Sequence, residues 1–189
     1  MKLPLPEEFV LYDLEFTAWE GSHKRKWSGP NEYREVIQIG AIRVHDLKEM
    51  ESLCVYVRPV KNPELSTYIT ELTGISQNTI DEQGVSFDQA LEQFKAFCGQ
   101  KSVYCFGSDT EVLEENASLL GREMVLSRTQ FRDFIQETAQ VWRSHGIDLS
   151  QYSSGTLHTA LSSEPGLRAH DAVNDMRNLL QAITLLEHA

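Results

Sequence analysis

Two acidic residues interrupt the first strongly apolar run of the chain. The run at positions 9–15 reads FVLYDLE, which is typical of a buried β-strand apart from Asp13 and Glu15. Because residues two apart on a strand point to the same face, these carboxylates are expected to stand side by side among apolar neighbours. Adjacent buried like charges are costly unless something neutralises them, and a divalent metal ion is a common remedy. The alternative is a strand that ends at Leu11, with both acids in solvent.

Later segments of the chain supply further candidate metal ligands. Asp109 follows the apolar run VYCF at 103–106, and His170 and Asp175 lie in HDAVND at 170–175, where the last helical pattern opens. Each has a simpler explanation. Asp109 is equally well explained as a helix N-cap. His170 and Asp171 are explained as an ordinary helix start, in which the Asp171 carboxylate interacts favourably with the helix macrodipole. Glu111 is a rival acid for the position of Asp109, although a first-turn helix acid accounts for it.

Taken in order, these residues resemble the DEDDh exonucleases of the RNase T/DnaQ superfamily, from about Val10 to Leu180. The segment EVIQIGAI at 35–42 looks like the second strand of that family, and ELTGIS at 71–76 looks like its LTGI turn. One departure is the tight spacing of Gly107 and Asp109, where relatives often have an extra residue. The resemblance implies an α/β protein with the ribonuclease H-like fold, a mixed five-stranded sheet flanked by helices, and a single exonuclease domain over 1–189.

The resemblance also implies a role for each candidate. Four acids would bind two divalent metal ions, and oxygen ligands suit Mg²⁺ or Mn²⁺. Asp13 would bridge both ions, Glu15 and Asp175 would hold the ion that activates water, and Asp109 would act mostly through waters on the other. His170 would be the general base, since an ordinary histidine pKa lies close to working pH.

Substrate contacts are predicted around the loop that follows the acid pair. Backbone and apolar contacts would seat the terminal nucleotide, aromatic rings would stack on bases, and a basic patch would contact phosphates. Core packing is the alternative for the aromatic residues, and a solvated turn is the alternative for the basic patch. The predicted contacts are Leu14, Phe16, Thr17, Trp19, Lys24, Arg25 and Lys26, with Trp27 as a further stacking candidate.

The activity implied by the resemblance is 3′→5′ exonuclease hydrolysis of single-stranded nucleic acid or short oligonucleotides to nucleoside 5′-monophosphates. The partner would be a nucleic acid with a free 3′ end, DNA or RNA undecided, and a homodimer is compatible with the resemblance. The alternatives are a non-catalytic nucleic-acid- or protein-binding module on the same scaffold and a phosphodiesterase acting on small nucleotides.

Composition limits the setting in which such a protein would work. A net charge of −11 argues against broad binding to long duplexes. The three cysteines have no CxxC spacing and are expected to be buried free thiols in a reducing compartment. Residues 1–8 lack a signal-peptide pattern and no stretch is long and apolar enough for a bilayer, so a cytoplasmic protein without membrane contact is expected.

Periodicity predicts the order of secondary-structure elements. Strands are expected near 9–14, 36–44, 53–58 and 102–106, and residues 130–144 are expected to begin as a strand and continue as a helix. The helix that starts after Ser86 has a capping box with Gln89 and an end at Gly99. The other expected helices cover 64–72, 110–120, 157–161 and 171–188.

Overall fold

A five-stranded mixed sheet organises the protein, for which the computed structural model describes residues 2–188. The strand order is β3-β2-β1-β4-β5; β1 to β3 pair antiparallel, and β4 and β5 run parallel to β1. The predicted α/β fold with a mixed five-stranded sheet is therefore confirmed. The strands are β1 (Glu8–Phe16), β2 (Val36–His45), β3 (Lys48–Tyr56), β4 (Ser102–Cys105) and β5 (Phe131–Asp133).

The described helices lie where periodicity placed them, with additions in the short segments. The additions are α1, α3 and a 3₁₀ turn at Leu149–Gln151, each too short for a periodic signal; the segment at Leu157–Ala160 is also 3₁₀. No described helix is both long and apolar enough to cross a membrane. The helices are α1 (Ser22–Arg25), α2 (Thr67–Thr73), α3 (Gln77–Gln83), α4 (Phe87–Cys98), α5 (Asp109–Leu119), α6 (Phe134–Ser144) and α7 (Ala172–Glu187).

Local capping chemistry sets the helix boundaries that matter for the site. The helix expected over 64–72 starts later, at Thr67, because the Ser66 hydroxyl accepts the Ile69 N–H at 3.1 Å. It ends at Gly74, whose φ of +77° favours glycine. The capping box predicted between Ser86 and Gln89 is confirmed. As a result, α2 and α3 meet at a tight turn beside the sheet.

Strand β1 separates two apolar layers by alternation of its side chains. Tyr12 and Leu14 pack with one cluster of buried residues, which includes Phe94 of α4. Leu11 packs in the cluster on the other face, together with Met176 of α7. Because alternate residues share a face, Asp13 and Glu15 continue the α7 side of the strand. The acid pair therefore lies under the start of α7.

Glycine 40 lets α7 approach the sheet at this point. Gly40 lies opposite Asp13 on β2, and a Cβ added to it would meet the backbone carbon and the Cβ of Ala172, each at 2.5 Å. Any larger residue would push the start of α7 away from the sheet. The close contact places the first turn of α7, including Asp175, over the acid pair.

Side chains also fix the N-terminus of α7. The fully buried Gln38 of β2 accepts the Ala172 N–H at 3.1 Å, and Asp171 accepts the Asn174 N–H at 3.0 Å. These bonds satisfy amide groups that a helix start leaves without partners. Asp171 thus has the helix-start role expected for it.

Candidate active site

Three predicted residues converge at the C-terminal end of β1. Ligand atoms of Glu15, His170 and Asp175 all lie within 4.8 Å of one another. Glu15 and Asp175 are only 7% and 5% exposed, whereas His170 is exposed. Two of these residues come from the last fifth of the sequence and one from the first strand, so the fold brings distant parts of the chain together.

The remaining two acids lie within electrostatic reach of this group. Burial, and then the charges of Asp109, Glu15 and Asp175, raise the pKa of Asp13 well above its ordinary value. Burial, followed by Asp175 and Asp109, raises the pKa of Glu15 to about 8. All four predicted acids therefore form one electrostatic cluster, which we call the acid cluster: Asp13, Glu15, Asp109 and Asp175.

The pKa values of the other two acids, Asp109 and Asp175, are also raised. Burial, and then Glu111, raise the pKa of Asp109 to about 7, with Arg34 opposing the shift. Burial also raises the pKa of Asp175 to about 6, against the effect of its hydrogen bond from the His170 backbone. Asp109 is the first residue of α5, and Ser108 occupies the N-cap position, so the N-cap explanation of Asp109 is wrong.

Few hydrogen-bond donors serve the acid cluster. The Ser154 hydroxyl donates to Asp13 Oδ1 at 3.3 Å, and the His170 N–H donates to Asp175 Oδ2 at 3.3 Å. Asp175 Oδ1 is buried and has no hydrogen-bond partner among the described residues. A Cβ on Gly155 would lie 2.4 Å from that oxygen, so only glycine leaves room there. Crowded, undersatisfied carboxylates of this kind fit hard divalent cations.

His170 lies in the connection that leads into α7, in a conformation unusual for a non-glycine residue. Its φ is +61°, which places it in the left-handed region. Partial burial and the positive charge of Arg168 lower its pKa, which favours the neutral form of the imidazole. A neutral, exposed ring beside the acid cluster has a free nitrogen that can accept a proton.

Asn178 fixes the loop that carries His170. This fully buried side chain accepts the Leu167 N–H at 2.8 Å and donates to the Leu167 carbonyl at 3.0 Å. It also donates to the Gly155 carbonyl at 3.1 Å. One amide therefore anchors both the His170 loop and the segment that packs against Asp175.

Two predicted substrate contacts have structural roles. The Leu14 side chain lies in the apolar layer away from the acids, because residues 13 and 14 point to opposite faces of β1. The Thr17 side chain is buried: its hydroxyl donates to the Tyr33 carbonyl at 2.6 Å and accepts the Glu35 N–H at 3.0 Å. These side chains therefore have roles within the fold, and contacts of substrate with the backbone of residues 14 and 17 stay predictions.

The loop at 17–35 contains the other predicted contacts. Phe16 and Trp27 pack edge to face at 5.4 Å, and the Trp27 indole donates to the Thr17 carbonyl at 3.0 Å, so Trp27 supports the loop. The Arg25 guanidinium binds Glu32 and the Glu20 carbonyl, so it also supports the loop, and its predicted phosphate contact stays a prediction. The predicted contacts whose side chains are accessible to a nucleic-acid strand are Phe16, Trp19, Lys24 and Lys26. Phe16 and Trp19 are partly exposed, and the two lysines are exposed.

Several residues that shape the site had no assigned role in the sequence. Gln38 had a detectable signal, since it is a polar residue inside an apolar strand. Gly40, Gly155 and Asn178 had none, because their importance depends on which segments the fold brings into contact. Glu35, which is 3% exposed, accepts backbone N–H groups of residues 60, 61 and 62 at 2.7, 2.7 and 2.6 Å.

Known proteins place this fold and site in a family. The topology is that of the ribonuclease H-like exonucleases, and the exonuclease family RNase T matches residues 10–183. The chain belongs to this family, and its recognition as a DEDDh member is confirmed. Members use divalent metal ions, which agrees with the donor set described above.

The similar proteins cover most of this chain. The "3′-5′ exoribonuclease 1" of Rattus norvegicus is 26% identical over 190 residues, covering 94% of this chain and 52% of the relative. The chain thus spans about half the length of such curated relatives. The nuclease domain of 3′hExo, solved with rAMP, has a TM-score of 0.77 and 20% identity, covering 98% of this chain and 92% of that chain. E. coli Exonuclease I, solved with a dA16 oligonucleotide, has a TM-score of 0.68 and 15% identity, covering 96% of this chain and 40% of that chain.

Proposed function

We propose that this protein is a metal-dependent 3′→5′ exonuclease that hydrolyses single-stranded nucleic acid or short oligonucleotides to nucleoside 5′-monophosphates. The observation that carries the proposal is the convergence of the buried Glu15 and Asp175 with His170, whose ligand atoms lie within 4.8 Å of one another, in a cluster of four carboxyl groups with raised pKa values. Titratable groups perturbed in this way are frequent at catalytic sites. Membership of an exonuclease family supports the same assignment.

The acid cluster has the ligand chemistry for two Mg²⁺ or Mn²⁺ ions. Asp13, Glu15, Asp109 and Asp175 would hold these ions, with Glu15 and Asp175 as joint ligands of one of them. When bound, the ions would supply activation of the attacking water and stabilisation of the charge on the phosphate and the leaving 3′ oxygen. Glu15 and Asp175 have oxygens within 4.8 Å of each other, as joint ligands of one ion require.

His170 is the proposed general base. Its pKa is lowered by partial burial and by Arg168, so the ring is available in the neutral form that accepts a proton from the attacking water. Its position on the loop anchored by Asn178 keeps the ring beside Glu15 and Asp175. The cost of its left-handed backbone, on the order of 1 kcal/mol, is consistent with a functional constraint on this loop.

The proposed substrate is a strand with a free 3′ end. Similar proteins have been solved with an adenosine ribonucleotide and with a DNA oligonucleotide, so DNA and RNA are both candidates. The net charge of −11 favours short single strands over long duplexes, since few basic side chains are available for phosphates. A single exonuclease domain over 1–189, a homodimer and a cytoplasmic location stay predictions.

The direct test is digestion of end-labelled oligonucleotides. Single-stranded RNA, single-stranded DNA and a 3′-overhang duplex are incubated with Mg²⁺ or Mn²⁺, and in parallel with EDTA. Stepwise shortening from the 3′ end with metal alone is expected, with nucleoside 5′-monophosphates as products. Binding without shortening would favour the non-catalytic module, and cleavage of a dinucleotide only would favour a small-nucleotide phosphodiesterase. An Asp13→Ala protein that digests as fast as the wild type would contradict the proposed site.

A further inference from the structure

An arginine close to His170 has a defined position and no anionic partner. Among residues 2–188, no carboxylate lies within 4.0 Å of the Arg168 guanidinium, and this group makes no hydrogen bond. Other arginines near the same edge of the sheet are paired: Arg34 with Glu115, Arg128 with Glu111 and Glu114, and Arg132 with Glu137. In a chain with a net charge of −11, an unpaired cation beside an acidic site calls for an explanation.

The turn between α2 and α3 provides a platform for this guanidinium. A Cβ on Gly74 would lie 2.5 Å from Arg168 Nη1 and 2.7 Å from Nη2, so the guanidinium rests against the bare Cα. Glycine is required there twice, for this contact and for its φ of +77°. Thr73 stiffens the turn, because its hydroxyl donates to the Ile69 carbonyl at 2.8 Å and accepts the Ile75 N–H at 3.1 Å.

The base of the arginine side chain is equally well held. Its neighbour Leu167 is bonded through both its N–H and its carbonyl to the buried Asn178. The Arg168 side chain therefore runs from the His170 loop, which Asn178 holds, to the α2–α3 turn, where its guanidinium lies against Gly74. Its charge reaches His170, since it contributes to the lowered pKa of that residue. Because this guanidinium rests against the turn with its donors unused, it can bind an anion without first breaking an ion pair.

We propose that Arg168 binds a backbone phosphate of the nucleic-acid strand beside the acid cluster, with Gly74 as the platform that holds its guanidinium. The inference rests on the proposed exonuclease function and adds a residue that positions the substrate strand. The planar fork of arginine matches two non-bridging phosphate oxygens. The acid cluster repels a polyanion in the absence of metal, so a fixed cation at its edge gives the strand an anchor that does not depend on metal.

Binding is measured apart from catalysis, by fluorescence anisotropy of a 5′-labelled single strand in EDTA over a range of salt concentrations. Arg168→Ala is expected to weaken binding about tenfold and to reduce the slope of log affinity against log salt by about 0.7, as loss of one phosphate contact predicts. Arg168→Lys should keep the slope and recover part of the affinity, because it keeps the charge and loses the fork.

Arg143 offers a matched control. It is an exposed arginine near the C-terminal end of α6, and that helix starts at the C-terminal end of β5 and runs away from the site edge. Arg143→Ala removes the same charge and should leave both affinity and slope unchanged. If Arg143→Ala and Arg168→Ala had equal effects, Arg168 would contribute only through net charge and the proposal would be wrong.

Oligonucleotides with one neutral methylphosphonate linkage identify the contact. In the wild type, binding should weaken when one phosphodiester linkage near the 3′ end is replaced by a methylphosphonate. With that strand, Arg168→Ala should cause no further loss, whereas it should still weaken binding of strands modified elsewhere. An equal loss for every strand would overturn the proposal, as would a variant with reduced kcat and unchanged binding, which would make Arg168 only a support for His170.

The outcome is separable from that of the exonuclease assignment. A wild-type protein that binds single strands but never shortens them with metal would reject the proposed reaction while the Arg168 test still stands. An active wild type whose Arg168→Ala variant binds with unchanged affinity and slope would reject the phosphate contact alone. Gly74→Ala, which displaces the guanidinium, should mimic Arg168→Ala, with circular dichroism and a melting curve as the check on folding.

Discussion

The protein contains two buried carboxylate environments that differ in the number of hydrogen-bond donors to the carboxylate. The carboxylate of Glu35 accepts three backbone N–H groups at 2.6–2.7 Å, so it is buried with its charge satisfied. Glu15, which lies about 20 residues earlier in β1, has no hydrogen-bond donor among the described residues, and its pKa rises to about 8.

This difference indicates what the acid cluster is for. The same fold that stabilises Glu35 with three amide groups leaves Glu15 without a donor and the Asp175 Oδ1 atom without a partner. Such sites cost stability in the free protein unless a cation binds. We therefore interpret Glu35 as a structural anchor and the acid cluster as a site kept open for divalent cations, and four predictions test this contrast.

The largest expected effect comes from neutralising one acid in each environment. Glu15→Gln should lower kcat/KM by about 10³-fold, since removing a metal ligand costs several kcal/mol of transition-state stabilisation. In EDTA at pH 8 it should raise the free energy of unfolding by about 1–3 kcal/mol, because a buried unpaired charge is removed. The measurements are steady-state kinetics and urea unfolding.

Glu35→Gln is the matched control and should behave in the opposite way. Its amide turns an N–H donor toward backbone donors, so the free energy of unfolding should fall by about 1–3 kcal/mol. The kcat of the folded fraction should change little. Stability changes of the same sign in the two variants would remove the distinction between the environments.

Replacement of His170 tests the general base without changing the acids. His170→Asn should lower kcat by about 10²–10⁴-fold, while metal affinity measured by calorimetry changes little. The pH dependence of kcat should lose its rise through the histidine pKa, which partial burial and Arg168 lower in the free protein. A variant that keeps the wild-type rate and pH profile would exclude His170 from proton transfer.

The loop anchor should give an intermediate effect. Asn178→Ala removes bonds to the Leu167 and Gly155 backbones, so kcat should fall about 10–100-fold and the free energy of unfolding by about 1–3 kcal/mol. Asn178→Asp keeps the acceptor for the Leu167 N–H but turns a buried carboxylate oxygen toward the Leu167 and Gly155 carbonyls, so it should lose at least as much activity. If kcat in Asn178→Ala stays at the wild-type value, the loop does not need this anchor.

The exposed lysines of the loop at 17–35 should have the smallest effect. Combined Lys24→Ala and Lys26→Ala should weaken single-strand binding about two- to fivefold and flatten its salt dependence. Arg25→Ala is expected to act through loop stability, because its guanidinium binds Glu32. An affinity of the double lysine variant that matches the wild type at every salt concentration would assign these residues to a solvated turn.

Much of the fold was predictable because its signals are local. The apolar run of β1, the periodicity of α7 and the capping box at Ser86 each lie within one segment. The five acid and histidine candidates were found differently, through an order along the chain that resembles the DEDDh exonucleases, and the structure brings ligand atoms of Glu15, His170 and Asp175 within 4.8 Å of one another. The experiments described above test their catalytic roles.

Contacts between distant segments were not predictable. The space for α7 depends on the missing side chain of Gly40, and the space for Asp175 depends on that of Gly155. The bonds of the Thr17 hydroxyl to the Tyr33 carbonyl and the Glu35 N–H likewise join segments 16 to 18 residues apart, which no local pattern in the sequence indicates.

Acid-cluster energetics can be measured by the stability of the wild-type protein against pH. A carboxyl group with a raised native pKa binds its proton more tightly when folded, so stability falls as pH rises from the unfolded pKa through the native one. For Glu15 this window runs from about 4.5 to about 8. In EDTA, the free energy of unfolding should therefore be lower at pH 8 than at pH 5, Mn²⁺ should restore it at pH 8, and Glu15→Gln should flatten the dependence. A wild-type stability at pH 8 that neither Mn²⁺ nor Glu15→Gln raises would contradict the account.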